Sequence, residues 1–292
     1  MEEKYIIKID KLMKKFLHRS RGFAEWGAFP YGMADLLIHG KKTKKLTYDH
    51  EYFSILKSTK TLESIRSLLK LGNNEDVFIL VRSIFENYLS CRYLNENEDK
   101  LDEFLTNPLN VFYGNFIVQQ DGKVVNRDKE VVGEQLNPTV FKAGKDKGYY
   151  YYFYGFLSTF SHSNFGISQC YMDDNLLFTL KKINYPLLSR VFTLFVFTKI
   201  FEHVVTVEGE DFLNSKVEKA CYELVKESLE LQYEVFPYLV EQYNGEEKGT
   251  VYQHKKMREM FKDMKKSLLE ELGSIKKEII NDKLVIKYSL TK

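Results

Sequence analysis

Residues 73–94, NNEDVFILVRSIFENYLSCRYL, have the spacing of one long amphipathic helix with an arginine and a glutamate one turn apart. The Asn-Glu-Asp start puts acidic side chains at the positive end of the helix dipole, which favours a helix that begins there. Leu89 and Tyr93 follow Glu86 at steps of three and four residues and share its face. Because large apolar residues surround Arg82, its guanidinium needs a partner, and Glu86 can supply it.

A second segment, residues 149–164 with the sequence YYYYFYGFLSTFSHSN, predicts another helix. Tyr154, Ser158 and His162 recur every four residues and therefore form one stripe. Two interpretations remain open if the two helices meet. Either Tyr154 and Ser158 join a buried polar network that fixes helix register, or Arg82 holds an anion while His162 acts as acid or base. In the second case the candidate catalytic residues are Arg82, Glu86 and His162.

Composition predicts a mainly α, globular chain. Of the 292 residues, 44% are hydrophobic and 15% aromatic, which is enough for a sizeable core, and five prolines favour long helices. A net charge of +2 indicates no strong attraction to nucleic acid or membrane. Three widely spaced cysteines indicate a reducing cytoplasm. The start lacks a secretory signal, and the most apolar run, 191–201, is about half the length needed to span a bilayer, so we expect a cytoplasmic protein with no membrane partner.

The expected architecture is a multi-helix, bundle-like core with a small β-hairpin arm inserted near 109–148. In the arm, the sequence FIVQQDGKVVN alternates with a period near two around Asp121-Gly122, which is a hairpin signal. The domains are expected at 1–107 and 149–245 for the helical core, 108–148 for the arm, and 246–292 for a charged peripheral helix and tail. The helices are expected at 3–17, 33–39, 48–71, 73–94, 98–105, 149–164, 186–207, 210–243 and 251–280, with a terminal strand at 283–290.

Three local signals refine this layout. Gly72 should end the helix at 48–71, for which Asp49 is a possible N-cap. Pro237 should end or kink the helix at 210–243. The helix at 251–280 has only a thin apolar stripe, so we expect it to lie at the periphery or to pack on another subunit.

The sequence lacks the motifs of several common sites. It has no phosphate-binding loop, dinucleotide fingerprint, CxxC or HExxH, so no metal or cofactor is expected. Its histidines other than His162 are isolated in sequence. Asp49-His50-Glu51 is compact, but helix neighbours point to different faces, so surface or capping roles are expected there.

The two polar helices resemble a mostly helical family of bacteria and mobile elements that is known only as a domain of unknown function. Its pattern resembles Arg-Ser-x-x-Glu followed by Tyr-Leu, and later Tyr-x3-Ser-x3-His. Here the first part corresponds to Arg82, Glu86 and Tyr93, and the second ends at His162. Such families are compared with the HEPN superfamily of RNA-cutting toxins, whose motif is an Arg and a His four to six residues apart on one helix. No such pair occurs here.

Two functions are compatible with these observations. The preferred one is a non-enzymatic, self-associating protein that captures another protein or complex in conflict between phages or mobile elements and bacteria, for example as an inhibitor of a host defence complex. The exposed members of one aromatic set would bind the partner: Tyr113, Phe116, Tyr149, Tyr150 and Tyr252. The alternative is a HEPN-like RNase, phosphodiesterase or toxin that uses Arg82 and His162. Nucleic-acid binding without catalysis ranks third.

Overall fold

The computed structural model describes residues 1–288 apart from 26–28, 135–147, 163–164, 173–174, 176, 180–184, 206–214, 244–250 and 281–282. Its helices are α1 (Glu2–Glu25), α2 (Tyr31–His39), α3 (Lys45–Leu71), α4 (Asn74–Glu96), α5 (Asn107–Phe112), α6 (Tyr149–Ser161), α7 (Pro186–Val205), α8 (Ser215–Gln242) and α9 (Val251–Ser274). Its strands are β1 (Ile117–Val118), β2 (Lys123–Val125), β3 (Val131–Glu134), β4 (Ile275–Ile280) and β5 (Lys283–Tyr288). Short 3-10 segments at Glu98–Lys100 and Phe165–Tyr171 and a π-helical turn at Asp102–Thr106 complete the described elements.

Helix α7 lies at the centre of the core and contacts α1, α3, α4 and α8. Residues 187–201 of this helix are buried on every side, including Phe192, Phe195 and Phe201. A helix without a solvent-exposed face is stable only when neighbouring elements cover it all round. The mainly α fold predicted from the sequence is confirmed.

Helices α3 and α4 form the antiparallel hairpin that positions the site. Gly72 ends α3 in the left-handed conformation (φ 77°), where the absence of a Cβ removes the steric cost. Its N–H donates to the Leu69 carbonyl, and the N–H of Asn73 donates to the Leu68 carbonyl. The predicted stop at Gly72 is confirmed, whereas α3 begins at Lys45, so Asp49 lies inside the helix. The Asp49 carboxylate instead accepts the Met33 N–H of α2 at 2.7 Å.

The inserted arm contains a small antiparallel sheet with strand order β1-β2-β3. Strands β1 and β2 form the predicted hairpin, in which Gly122 has φ 84° and the Asp121 side chain accepts the Lys123 N–H at 3.1 Å. The arm also contains α5, which the sequence did not predict. The part of the predicted arm at 135–147 lies outside the described residues.

The structure corrects three predicted boundaries. Helix α1 continues to Glu25 because Phe23 packs against Phe201 of α7, with ring centroids 5.8 Å apart. Helix α8 continues through Pro237 to Gln242, since Phe236 and Leu239 on either side of the proline are buried in the core. The last long helix ends at Ser274 rather than at 280, because residues 275–280 pair as β4 with the predicted terminal strand, β5.

Helix α9 is not peripheral. Its thin apolar stripe contains Met257, Phe261 and Met264, which are all buried and belong to the main core. The helix packs on α8 and α6 of the same chain. Its charged surface misled the prediction, because three or four large apolar side chains at helical spacing are enough to dock a helix. Among the described residues, no helix is both long and apolar enough to cross a membrane.

Candidate functional site at the α4–α6 interface

Arg82 and Glu86 form an ion pair on the side of α4 that faces α6. The Arg82 Nε donates to Glu86 Oε1 at 2.9 Å across one helical turn. The two side chains are 18% and 31% exposed, so the pair lies at the edge of the core rather than in its interior. A guanidinium in this position is fixed by the protein and still reachable from solvent.

Tyr154 of α6 joins this pair across the helix interface. Its hydroxyl donates to Glu86 Oε1 at 2.7 Å and accepts a hydrogen bond from Arg82 Nη2 at 2.8 Å. The Arg82 guanidinium also lies 4.9 Å from the centre of the Tyr154 ring, within cation–π range. Three interactions therefore hold the guanidinium plane in one orientation.

The surroundings of Arg82 and Tyr154 keep the guanidinium charged and the phenol protonated. Burial alone would lower the pKa of Arg82, but its hydrogen bond to the Tyr154 hydroxyl and the charge of Glu86 outweigh burial and raise that pKa. Burial, with the hydrogen bond to Glu86, raises the pKa of Tyr154. Tyr154 thus keeps its proton and remains a donor to Glu86 at neutral pH.

His162 completes the cluster just beyond the end of α6. The helix ends at Ser161, and His162 has an extended backbone (φ −127°, ψ 157°) instead of the predicted helical one. Its Nε2 still lies 3.3 Å from Arg82 Nη1. Because a guanidinium only donates, Nε2 accepts this hydrogen bond and the ring proton is on Nδ1. We call Arg82, Glu86, Tyr154 and His162 the open cluster.

The predicted network residue Ser158 does not take part in the open cluster through its hydroxyl. It lies on α6 as expected, but its Oγ donates to the Tyr154 carbonyl at 2.7 Å. A serine inside a helix commonly satisfies its hydroxyl this way. The Tyr154 hydroxyl, and not that of Ser158, contacts Arg82.

His162 also lines a solvent-accessible cavity of about 520 Å³. Aromatic rings supply much of the wall, from Phe160, Phe165, Tyr171 and Phe178. The hydroxyls of Ser161 and Ser168 add polar groups. The volume is in the range typical of small-molecule sites. The open cluster therefore has a pocket beside it that is large enough for a ligand, which we call the aromatic pocket.

The aromatic residues predicted to bind a partner differ in how far they are exposed to solvent. Tyr113 is half exposed and Phe116 is partly buried. Tyr149 and Tyr150 are only 5% and 2% exposed, so they are core residues and not partner contacts. Their position at the start of α6 turns both rings towards the core, where Tyr149 packs near Phe195 and Tyr150 near Phe85. The side chain of Tyr252 lies outside the described residues.

Sequence reasoning missed a group around Glu51, which we call the Glu51 cluster. Glu51 of α3 is 2% exposed rather than on the surface. Its Oε1 accepts from Asn95 of α4 at 2.8 Å and lies 3.0 Å from His203 Nε2 of α7. The sequence did contain one indication that Glu51 is buried, because Glu51 lies on the same face of α3 as the buried Ser54 and Ser58. Its partners Asn95 and His203, however, are 44 and 152 residues away in the sequence.

His50, next to Glu51, is partly buried between α3 and α4. Its Nε2 lies 3.2 Å from Ser90 Oγ, and its ring packs edge-on against Phe104. Burial, assisted by the nearby charges of Lys57 and His203, lowers the pKa of His50 to about 4. His50 is therefore neutral at physiological pH and has no surface or capping role.

Lys199 and Glu271 form a second missed pair, which we call the inner ion pair. It joins α7 to α9, and its side chains are 5% and 17% exposed. Burial would lower the pKa of Lys199, but the adjacent Glu271 and Glu202 charges overcome it and raise that pKa. The sequence showed Lys199 only as an interruption of an apolar run.

The described residues contain no group of three or more His, Cys, Asp or Glu side chains that could hold a metal ion. Cys91 is fully buried, and burial raises the pKa of its thiol to about 12. A thiol in that state is a poor nucleophile and a poor ligand. The open cluster combines a cation and a histidine with an adjacent pocket.

Fold and site together define a helical protein with an Arg–Glu–Tyr–His cluster between two helices. Residues 53–114 match the model of a family of unknown function, DUF5677. The expected likeness to a domain of unknown function is confirmed over that stretch, which includes Arg82 and Glu86 and ends before Tyr154 and His162. No curated protein matches the chain, and no solved structure does.

Proposed function

We propose that the open cluster binds and cleaves a phosphodiester bond of single-stranded RNA, in the cytoplasm, with Arg82 and His162 as the catalytic pair. The observation that carries this proposal is the 3.3 Å approach of Arg82 Nη1 to His162 Nε2 beside the aromatic pocket. A fixed guanidinium next to an imidazole provides a phosphate-binding group and a proton-transfer group within reach of the same ligand.

Arg82 has donors to spare for a phosphate. A guanidinium carries five N–H groups, and three of them are used in the bonds to Glu86, Tyr154 and His162. One N–H on each terminal nitrogen makes no bond to any described residue. We propose that these two donors bind two oxygens of a phosphate group, as the guanidinium fork commonly does. Glu86 and Tyr154 act as positioning residues because they touch Arg82 and not the reacting atoms.

The proposed reaction uses the 2′-hydroxyl of RNA as the nucleophile. A phosphate placed between Arg82 and His162 replaces their direct hydrogen bond, and the Nε2 lone pair becomes available. His162 then removes the 2′-hydroxyl proton, and the 2′-oxygen attacks phosphorus while Arg82 stabilises the charge on the non-bridging oxygens. The bond from phosphorus to the 5′-oxygen breaks, and the leaving oxygen takes a proton from water. The products are a 2′,3′-cyclic phosphate and a 5′-hydroxyl end, and His162 returns its proton to solvent.

The test is an end-labelled, unstructured oligoribonucleotide incubated with purified protein, with products resolved on a denaturing gel. Wild-type protein should produce fragments that end in a 2′,3′-cyclic phosphate. His162→Ala and Arg82→Lys, purified identically, should each lower the rate by about 100-fold or more. A substrate with 2′-O-methyl groups should remain intact because it lacks the nucleophile.

Two matched controls lie away from the site. His18→Ala removes an exposed histidine, and Arg21→Lys alters an arginine whose ion pair with Glu63 is also on the surface. Both should cleave at the wild-type rate. Intact RNA with the wild-type protein, or equal cleavage by His162→Ala and wild type, would show that the open cluster is not a nuclease site.

The binding function remains a second candidate because the arm exposes apolar side chains. Phe112 is 81% exposed, Ile117 65% and Val131 59%. Exposed apolar side chains, when they form a contiguous patch, are typical of protein contact surfaces. The proposed role is self-association and capture of another protein in conflict between bacteria and phages or mobile elements.

Light scattering across a range of concentrations tests self-association through this surface. The wild-type mass should rise above that of one chain, and Ile117→Lys should restore the monomer without changing the melting temperature. Leu269→Lys, at an exposed apolar residue of α9, is the control and should behave as wild type. A wild-type protein that is monomeric at every concentration would remove the support for self-association.

A further inference from the structure

The aromatic pocket has one fixed wall and one open wall. Phe160 belongs to the fixed wall, because it packs against Phe78 and Phe156 with ring centroids 4.7 Å and 5.2 Å away. On the open side, Phe165 is 80% exposed and Phe178 is 71% exposed. Exposed apolar side chains that are grouped around a groove often mark a ligand-binding site.

We propose that the aromatic pocket receives the nucleobase adjacent to the phosphate held by Arg82 and His162. This inference rests on the function proposed above and names the part of the substrate that the pocket recognises. Every nucleobase has a π-face, and stacking on Phe or Tyr is the usual way in which proteins hold bases of single-stranded nucleic acids.

The position of His162 links the two parts of this site. Its side chain lines the pocket and also approaches Arg82. A base stacked in the pocket therefore places its own sugar and phosphate next to the open cluster. A nucleotide has this shape, with an apolar face at one end and an anion at the other.

The polar groups of the pocket fit a base of any identity. Ser161 donates its hydroxyl to the Leu157 carbonyl at 3.3 Å, which leaves its oxygen lone pairs as acceptors. The Ser168 hydroxyl also lines the pocket and can rotate to donate or accept. Since such hydroxyls pair with either kind of base edge, the pocket should select for the presence of a base rather than for one particular base.

The pocket selects against double-stranded substrates. A base must leave its stack and its pairing partner before both of its faces are available to aromatic side chains. In single-stranded RNA only stacking has to be broken, whereas a duplex must also lose its base pairs. We therefore expect binding to unpaired regions only.

The experiment measures binding with oligonucleotides that carry 2′-O-methyl groups, so that cleavage does not occur. One probe carries all of its bases, and a second has abasic residues in place of the central nucleotides. Fluorescence anisotropy should show about tenfold or more tighter binding of the first probe to the wild-type protein. Phe165→Ala and Phe178→Ala should each remove most of this difference and leave binding of the abasic probe unchanged.

The matched control is Phe53→Ala, which removes a phenylalanine of α3 that is 58% exposed and does not line the pocket. It should bind both probes as the wild type does. Thermal melts of the three variants should coincide with the wild type because these side chains are exposed, so a loss of binding reports on the pocket and not on folding.

The outcomes separate this inference from the proposed function. Equal binding of the two probes to a wild-type protein that still cleaves RNA would overturn the base pocket and leave the nuclease proposal standing. Binding of neither probe, together with no cleavage, would remove both. Competition by an aromatic carboxylate such as benzoate, with none by a nucleoside monophosphate, would overturn the inference because the pocket then selects another class of anion.

Discussion

The open cluster and the inner ion pair differ in how far water reaches them, although both join a cation to a carboxylate. In the open cluster, Arg82 and Glu86 are 18% and 31% exposed, and the neighbouring His162 lines the aromatic pocket. In the inner ion pair, Lys199 and Glu271 are 5% and 17% exposed and hold α9 against α7. The first arrangement leaves donors available to a ligand, and the second uses its charges on each other.

This difference indicates which polar groups serve folding and which can serve chemistry. Charges in a low-dielectric interior are costly unless they are paired, so removing one member of an enclosed pair destabilises the fold strongly. A pair at the edge of the core is still partly reached by water, so each charge keeps some solvation when its partner is removed, and we expect it to contribute less to stability. We therefore expect substitutions in the inner ion pair to lower stability most, and substitutions in the open cluster to lower activity most.

The largest expected effect is at the inner ion pair. Lys199→Met leaves the Glu271 carboxylate enclosed without its cation and should lower the free energy of unfolding by about 3–5 kcal/mol. Chemical denaturation monitored by circular dichroism measures this loss. The double variant Lys199→Met with Glu271→Leu should regain most of it, because an apolar pair of similar volume needs no charge compensation. A double variant no more stable than the single one would show that packing, not charge, explains the loss.

The Glu51 cluster should give the next largest effect. Glu51→Ala leaves Asn95 and His203 without their common acceptor and opens a small cavity, so we expect a loss of about 2–3 kcal/mol. Glu51→Gln keeps an acceptor oxygen at the same place and should cost about 1 kcal/mol. Urea denaturation of the two variants side by side checks the order. Equal losses would mean that the charge of Glu51, rather than its hydrogen bonds, supports the structure.

His50 should make the same region sensitive to acid. Its pKa is about 4 in the folded protein against 6.5 for an ordinary histidine, so the unfolded chain binds a proton first as the pH falls. The stability that neutral His50 contributes is therefore complete above about pH 6.5 and is lost as the pH falls towards 4, by about 2 kcal/mol at pH 5.

Denaturation curves across this pH range should separate His50→Gln from wild type. Glutamine can still meet the Ser90 hydroxyl but does not titrate, so the variant should lose less stability than the wild type between about pH 7 and pH 5. Lys57 and His203 face His50 and are present in both proteins, so their contributions cancel in the comparison. Parallel curves would show that His50 does not carry the acid sensitivity.

The sequence predicted the open cluster better than the inner ion pair and the Glu51 cluster, for a physical reason. Arg82 and Glu86 are four residues apart, and Tyr154 and His162 are eight apart, so local periodicity grouped the members of each pair, although not the two pairs with each other. Glu51 and His203 are 152 residues apart, and Lys199 and Glu271 meet only when α9 docks. Those contacts depend on tertiary packing, which periodicity does not encode.

Predictions from local sequence were also wrong where tertiary contacts decide which side chains are buried and where a helix ends. Tyr149 and Tyr150 belong to the aromatic set whose exposed members were predicted to bind a partner, but they are buried, whereas Tyr151 and Tyr152 are 64% and 52% exposed. The periodicity of a helix identifies two faces, and only the docked neighbour decides which face is inside. The helix through Pro237 shows the same effect, since core packing on both sides of the proline compensates for the lost hydrogen bond.

The smallest expected effect on stability is at the open cluster, and it tests the comparison most directly. Arg82→Met removes the charge but keeps an unbranched side chain of similar length, so the free energy of unfolding should fall by less than about 1 kcal/mol. The same variant should lose RNA cleavage, since Met has no donor for a phosphate. Lys199→Met makes the same kind of change in the inner ion pair. Compared with that variant, Arg82→Met should be more stable and less active. A loss of stability as large as that of Lys199→Met would mean that the open cluster is a structural network that fixes α4 against α6.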